Sequence, residues 1–171
     1  MEANFQRCLS LVLASEGGFV KNRHDPGGAT NQGVTQAVYD AYRKFQELMP
    51  KSVQLITGAE VAAIYRVQYW NAICGDQLPP GVDYAVFDSV VNSGVSRGAK
   101  WLQRAVGVTE DGHIGQITLA AVAKADPKVV INAICDRRLS FLEALHNWRY
   151  FGKGWKNRVA FVRANAMAMV K

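Results

Sequence analysis

Disulfide and metal chemistry are the first things this sequence does without. Its 171 residues include three cysteines, Cys8, Cys74 and Cys135. They are odd in number and far apart, with no Cys-x-x-Cys pair, which argues against a disulfide framework and against a thiolate zinc site. The three histidines, His24, His113 and His146, are equally scattered. No run of about eighteen apolar residues exists, so no membrane-spanning helix is expected. The first residues, Met1 to Arg7, lack the basic-then-apolar build of a signal peptide. Synthesis in the cytoplasm without a classical export signal is the expectation. With 49% hydrophobic residues, the chain can bury a core unaided by metals or crosslinks.

Charge is unevenly spread. Residues 1–90 hold 7 Lys/Arg against 9 Asp/Glu, and residues 91–171 hold 13 against 5, for nets of −2 and +8. A basic half suits an anionic partner such as nucleic acid, a membrane surface or a charged cell wall, or simply a solvated helical surface.

Most of the chain reads as helix. Phe5, Leu9, Val12, Leu13 and Glu16 form one stripe at helical spacing, and Gly17-Gly18 can end that helix. Residues 19–35 are polar, glycine-rich and broken by Pro26, and so read as a loop or short hairpin. Thr35 can cap a helix carrying Val38, Tyr42 and Phe45. Thr57 and Glu60 make a capping box. Pro79-Pro80-Gly81 precedes a helix through Val86, Phe87 and Val90 that Gly94 can end, and Ser96 can cap the next. Asp126-Pro127 is a helix start, and a last helix is expected over about Trp155–Met169. The boundary falls at Gly94-Val95-Ser96, giving residues 1–94 and 95–171.

Glu16 ends an apolar helix, and Asp25 lies nine positions on in a glycine-rich turn. Burial and the negative end of the helix dipole both favour a Glu16 carboxyl that keeps its proton. Two carboxyl groups in contrasting environments are what acid-catalysed cleavage of a glycosidic bond requires. Asp25-Pro26-Gly27-Gly28 is equally good turn chemistry, so Asp25 is either a catalytic carboxylate or a turn residue. Thr30 or Thr35 could orient a water, though Thr35 also suits helix capping. Tyr69 and Trp70 could stack on a sugar or pack in the core. Asp88 and Asn92, four apart on one helix face, could bond sugar groups or tie the helix to a loop. The Asp111-Gly112 turn suits an organising role.

Glu16-Gly17-Gly18-Phe19, Asp25-Pro26-Gly27-Gly28-Ala29-Thr30-Asn31 and Gly33-Val34-Thr35 resemble the bacterial and phage lysozymes of glycoside hydrolase family 108. Tyr65-Arg66, Tyr69-Trp70, Asp88 and Asn92-Ser93-Gly94 extend the resemblance. Leu102-Gln103-Arg104-Ala105-Val106-Gly107-Val108, Asp111-Gly112-His113-Ile114-Gly115 and Thr118-Leu119 resemble the predicted peptidoglycan-binding domain that follows in that family.

The resemblance implies a mainly α, lysozyme-like fold with a small loop or hairpin after the first helix. It also implies an N-acetylmuramidase that cleaves peptidoglycan without a cofactor, with Glu16 as the catalytic acid. Asp25 and Thr30 resemble the aspartate and threonine of phage-type lysozymes. Thr30 is one residue short of that spacing, and Thr35 competes with it. Tyr69, Trp70, Asp88 and Asn92 become candidate substrate contacts. Action in the periplasm or at the cell wall would call on a holin or secretion machinery for export, with no nucleic acid bound and no membrane insertion.

Three rivals remain. One is a non-catalytic peptidoglycan-binding or secretion-accessory protein that keeps the fold. Another is a basic nucleic-acid-binding domain, which lacks an evident recognition motif. The third is a cysteine-dependent wall peptidase, disfavoured because Cys8 lies in an apolar helix.

Overall fold

Each residue of helix α4 (Val82–Ser93) from Val82 to Val90 is buried, so the helix is enclosed on every side. A helix enclosed all round must have others packed about it rather than lie on a surface. The computed structural model describes residues 2–16, 20–21 and 29–171. In chain order the elements are α1 (Glu2–Ser15), β1 (Val20–Lys21), β2 (Ala29–Asn31), β3 (Val34–Thr35), α2 (Gln36–Phe45), α3 (Gly58–Tyr65) and α4. They are followed by α5 (Val95–Ala105), α6 (Gln116–Lys124), α7 (Pro127–Glu143) and α8 (Trp148–Met169). The fold is mainly α and lysozyme-like, with a small antiparallel sheet in the order β1-β2-β3 after the first helix. No helix among the described residues is long and apolar enough to cross a membrane.

The chain forms two compact units, residues 6–68 and residues 1–5 with 69–171. In the smaller, Val34, Tyr39, Val53, Val61, Ile64 and Tyr65 are buried. Its helices start where side chains can satisfy free N–H groups. The Thr35 hydroxyl accepts from the Val38 N–H (3.3 Å) at α2, and Thr57 and Glu60 close a reciprocal capping box at α3. A π-helical stretch, Arg66–Trp70, continues the chain from α3.

In the larger unit, α4 packs on α5, α7 and α8, and α7 packs on α8. Trp70 is fully buried and meets Phe5 and Phe87 edge-on, with ring centroids 5.3 Å away in both cases. Asp83 is wholly buried at the start of α4. It accepts from the N–H groups of Gly81 (2.8 Å) and Tyr84 (2.7 Å) and from the Asn4 side chain. A carboxylate suits the positive end of the helix dipole. The last helix begins at Trp148, earlier than its sequence suggests. Gly152 and Gly154 weaken the helical signal, yet a Cβ at Gly152 would fall 2.6 Å from the Trp148 ring, so the glycine gives the indole room to lie on the helix.

One polar junction holds three helices together. Asp88 on α4 is fully buried. Its carboxylate accepts from Arg138 of α7 (2.6 Å) and from Arg158 of α8 (3.0 Å to Oδ2, 3.1 Å to Oδ1). Burying three charges is tolerable only because each has a hydrogen-bonded partner. Burial pushes the Cys135 thiol on α7 up to about 11, which leaves little reactive thiolate at neutral pH. Asp88→Asn should cost about 3–5 kcal/mol in urea unfolding, since two guanidiniums lose their counter-charge. A loss under about 1 kcal/mol would mean that the junction does not hold the helices.

Candidate functional site

The β2–β3 turn is two residues long, Gln32 and Gly33, both at positive φ (49° and 76°). That pairing matches the twist of the strands it joins. Gly33 is required for a second reason. A Cβ there would collide with the Tyr65 hydroxyl oxygen and stand 3.4 Å from Glu16 Oε2. Tyr65, the last residue of α3, is buried and donates its hydroxyl to the Gln32 carbonyl oxygen at 3.0 Å. Glu16 follows the last residue of α1. It is half-buried, and its N–H closes back on the Leu13 carbonyl oxygen at 3.2 Å. A half-buried carboxyl group, a phenol and the bare Gly33 backbone therefore converge at one place in the smaller unit.

The hairpin is braced from behind. The Asn31 amide donates to the carbonyl oxygens of Val53 (3.2 Å) and Gln54 (3.3 Å). Gln36 accepts from the Val53 N–H (2.7 Å) and donates to the Lys51 carbonyl oxygen (2.9 Å). Helices α2 and α3 are locked by Glu60. Its carboxylate accepts from Arg43 (2.7 Å), from the Tyr39 hydroxyl (2.8 Å), and from the Thr57 N–H and hydroxyl (2.9 Å each). Burial would raise the Glu60 carboxyl, but these hydrogen bonds and nearby Lys51 outweigh it and hold it below the usual range. Burial, and then the bond to Glu60, push the Tyr39 phenol up.

Thr30 sits half-buried on β2, opposite Val20 on one side and Thr35 on the other. Opposed residues of an antiparallel pair share a sheet face, so Thr30 and Thr35 project together. Thr35 spends its hydroxyl on capping α2. Asp25, with Gly17-Gly18-Phe19 and Gly27-Gly28, lies outside the described residues.

The remaining sequence candidates belong to the larger unit. Trp70 is in the core, and its indole N–H donates to Asp76 at 3.1 Å. Tyr69 is half-buried. The Asp88 carboxylate is taken up by its two arginines, and the exposed Asn92 accepts from Arg138 at 3.1 Å. Sequence reading missed Gln103, which is buried and organises the loop before α6. It donates to Asp111 (2.6 Å) and to the His113 carbonyl oxygen (3.0 Å), and accepts from the Gly112 N–H (2.9 Å). The Gln103 bond, then the His113 N–H, lower the Asp111 carboxyl. No group of three or more potential metal ligands occurs among the described residues.

Comparison with known proteins divides the chain at a different place, between residues 94 and 97. Residues 9–94 match the family described as Glycosyl hydrolase 108, and residues 97–160 match the Predicted Peptidoglycan domain. A solved structure described as that of Brucella abortus SagA is 41% identical to this chain. The match covers 100% of this chain and 98% of that one, with a TM-score of 0.84. A search of curated proteins finds no match.

The contact at Gly33 can be tested by a double-mutant cycle. Gly33→Ala should destabilise the fold by about 2–3 kcal/mol, combining the positive-φ penalty with the collision. In a Tyr65→Phe background the collision is gone, and the cost should fall toward about 1 kcal/mol. Equal costs in both backgrounds, read by chemical denaturation, would show that the phenol does not press on the turn.

Proposed function

The chain belongs to the glycosyl hydrolase 108 family, glycosidases whose partner here is peptidoglycan, and from that premise we propose that it is an N-acetylmuramidase. It would cleave the β-1,4 bond from N-acetylmuramic acid to N-acetylglucosamine. The supporting observation is the half-buried Glu16 carboxyl at the end of α1, held against the Gly33 turn beside Tyr65. In this reading Glu16 gives its proton to the glycosidic oxygen as the carbon–oxygen bond breaks, and a water adds to the anomeric carbon. The water's proton passes to a base, for which Asp25 is the candidate, with Thr30 orienting the water. Two carboxyl groups about 6.5–9.5 Å apart would give inversion, and about 5 Å would give a covalent intermediate. No cofactor enters.

The division of labour we assign falls at residue 94. Residues 1–94 carry the chemistry, and the basic residues 95–171 hold the wall. Asp88 and Asn92 keep α4 in place, Trp70 supports the core, and Tyr69 remains the aromatic candidate for a sugar contact. Peptidoglycan places the action in the periplasm or at the wall, reached through a holin or secretion machinery.

Glu16→Gln should lower wall lysis at least a thousandfold with melting temperature unchanged, because the amide keeps the shape but has no proton to give. Lysis by the Gln variant would remove Glu16 from the mechanism. Wall binding without lysis by the unmodified protein would favour the non-catalytic reading. Asp25→Asn should cost about a hundredfold if Asp25 is the base. Near-normal turnover there, with a loss in Thr30→Ala, would transfer the water to the threonine.

A further inference from the structure

Helices α5 and α7 leave a groove of about 580 Å³ between them, a size suited to a small ligand group. Helix α5 contributes Trp101 and Arg104, three apart on one face. Helix α7 contributes Arg137, Ser140 and Phe141, again one face. Trp101 and Phe141 form an aromatic wall, with ring centroids 5.7 Å apart. Arg97, one turn before Trp101, extends its guanidinium over the Phe141 ring at 4.3 Å.

What sets the groove apart is that the arginines around it are paired while one in its wall is not. Arg138 has Asp88 and Arg163 has Asp136, the latter at 2.5 Å, so the carboxylate on the groove's edge is already neutralised. Arg104 reaches Glu110 but stays largely exposed at the rim. Arg137 is half-buried in the groove wall. It has no hydrogen bond or ion pair among the described residues, and its Nε is enclosed without an acceptor. A partly desolvated guanidinium that the protein leaves unmatched is a site for an anion. The aromatic wall beside it favours an anion carried on a small apolar group.

We infer that this groove binds a carboxylate of the peptide stems of peptidoglycan, with Arg137 and Arg104 holding the carboxylate and Trp101 and Phe141 covering the adjoining apolar carbons. The inference rests on peptidoglycan being the partner but not on glycosidase activity. A carboxylate and a methyl group occur together on stem peptides, and also on the lactyl group of muramic acid once its peptide has been removed. The two sources share a chemistry and are separable by experiment.

The test uses the full chain carrying Glu16→Gln, so that no probe is cleaved. Titration calorimetry and amide chemical shifts would follow three probes: a free tetrapeptide stem, the same stem with its carboxylates amidated, and glycan strands stripped of peptide. The free stem should bind, weaken with salt, and shift resonances of α5 and α7. The amidated stem should not bind. Arg137→Gln should weaken binding roughly tenfold to a hundredfold. Should that variant fold poorly, Ser140→Trp plugs the groove from an exposed position and should abolish binding with the melting temperature intact. Equal binding of free and amidated stems, preference for the stripped glycan, or shifts confined to other helices would overturn the assignment. A stem that binds the Ser140→Trp variant normally would do the same.

Discussion

At Gly33 the backbone passes so close to the end of α3 that a single added carbon would strike the Tyr65 hydroxyl, while only touching the Glu16 carboxyl group. Much of the smaller unit follows from that approach. The turn must be two residues long with positive φ at both, which sets the register of Thr30 opposite Thr35 and delivers Thr35 to cap α2. The phenol must then arrive at a fixed height, so α3 is fastened to α2 through Glu60, Tyr39 and Arg43. A carboxyl group intended to deliver a proton needs surroundings that do not move away from it, and these contacts supply them.

The larger unit solves a different problem. A helix enclosed all round, as α4 is, cannot specify by its apolar residues alone which neighbour packs where. Asp88 supplies that specification by accepting from one arginine on α7 and another on α8. An all-apolar junction of the same volume could be equally stable but would distinguish less well between packings. Gln103 does comparable work without charge, gathering the loop ahead of α6 around one amide.

Local devices were legible in the sequence because their chemistry is complete within a few residues. The Thr57–Glu60 box, the Asp126-Pro127 start and the Gly94 end of α4 all appear where the sequence puts them. Asp88 was legible only as a polar residue on a helix face, since its partners lie 50 and 70 positions away. Trp70 could equally have been a sugar platform, and its complete burial shows only once Phe5 and Phe87 are brought to it. The convergence of Glu16, Gly33 and Tyr65 was half legible. Each residue lay within a recognisable motif, but sequence has no means of showing that the glycine is there to admit the phenol. The compact units part after residue 68 and the family segments meet between residues 94 and 97. Charge balance follows sequence segments, whereas packing follows the helices that surround α4.

The most direct test of the account is mass analysis of the soluble fragments released from purified peptidoglycan. Hydrolysis between muramic acid and glucosamine must leave N-acetylmuramic acid at new reducing ends, with its peptide still attached and one water added per cut. Release of free amino groups from cut peptides, or new reducing ends on N-acetylglucosamine, would contradict it.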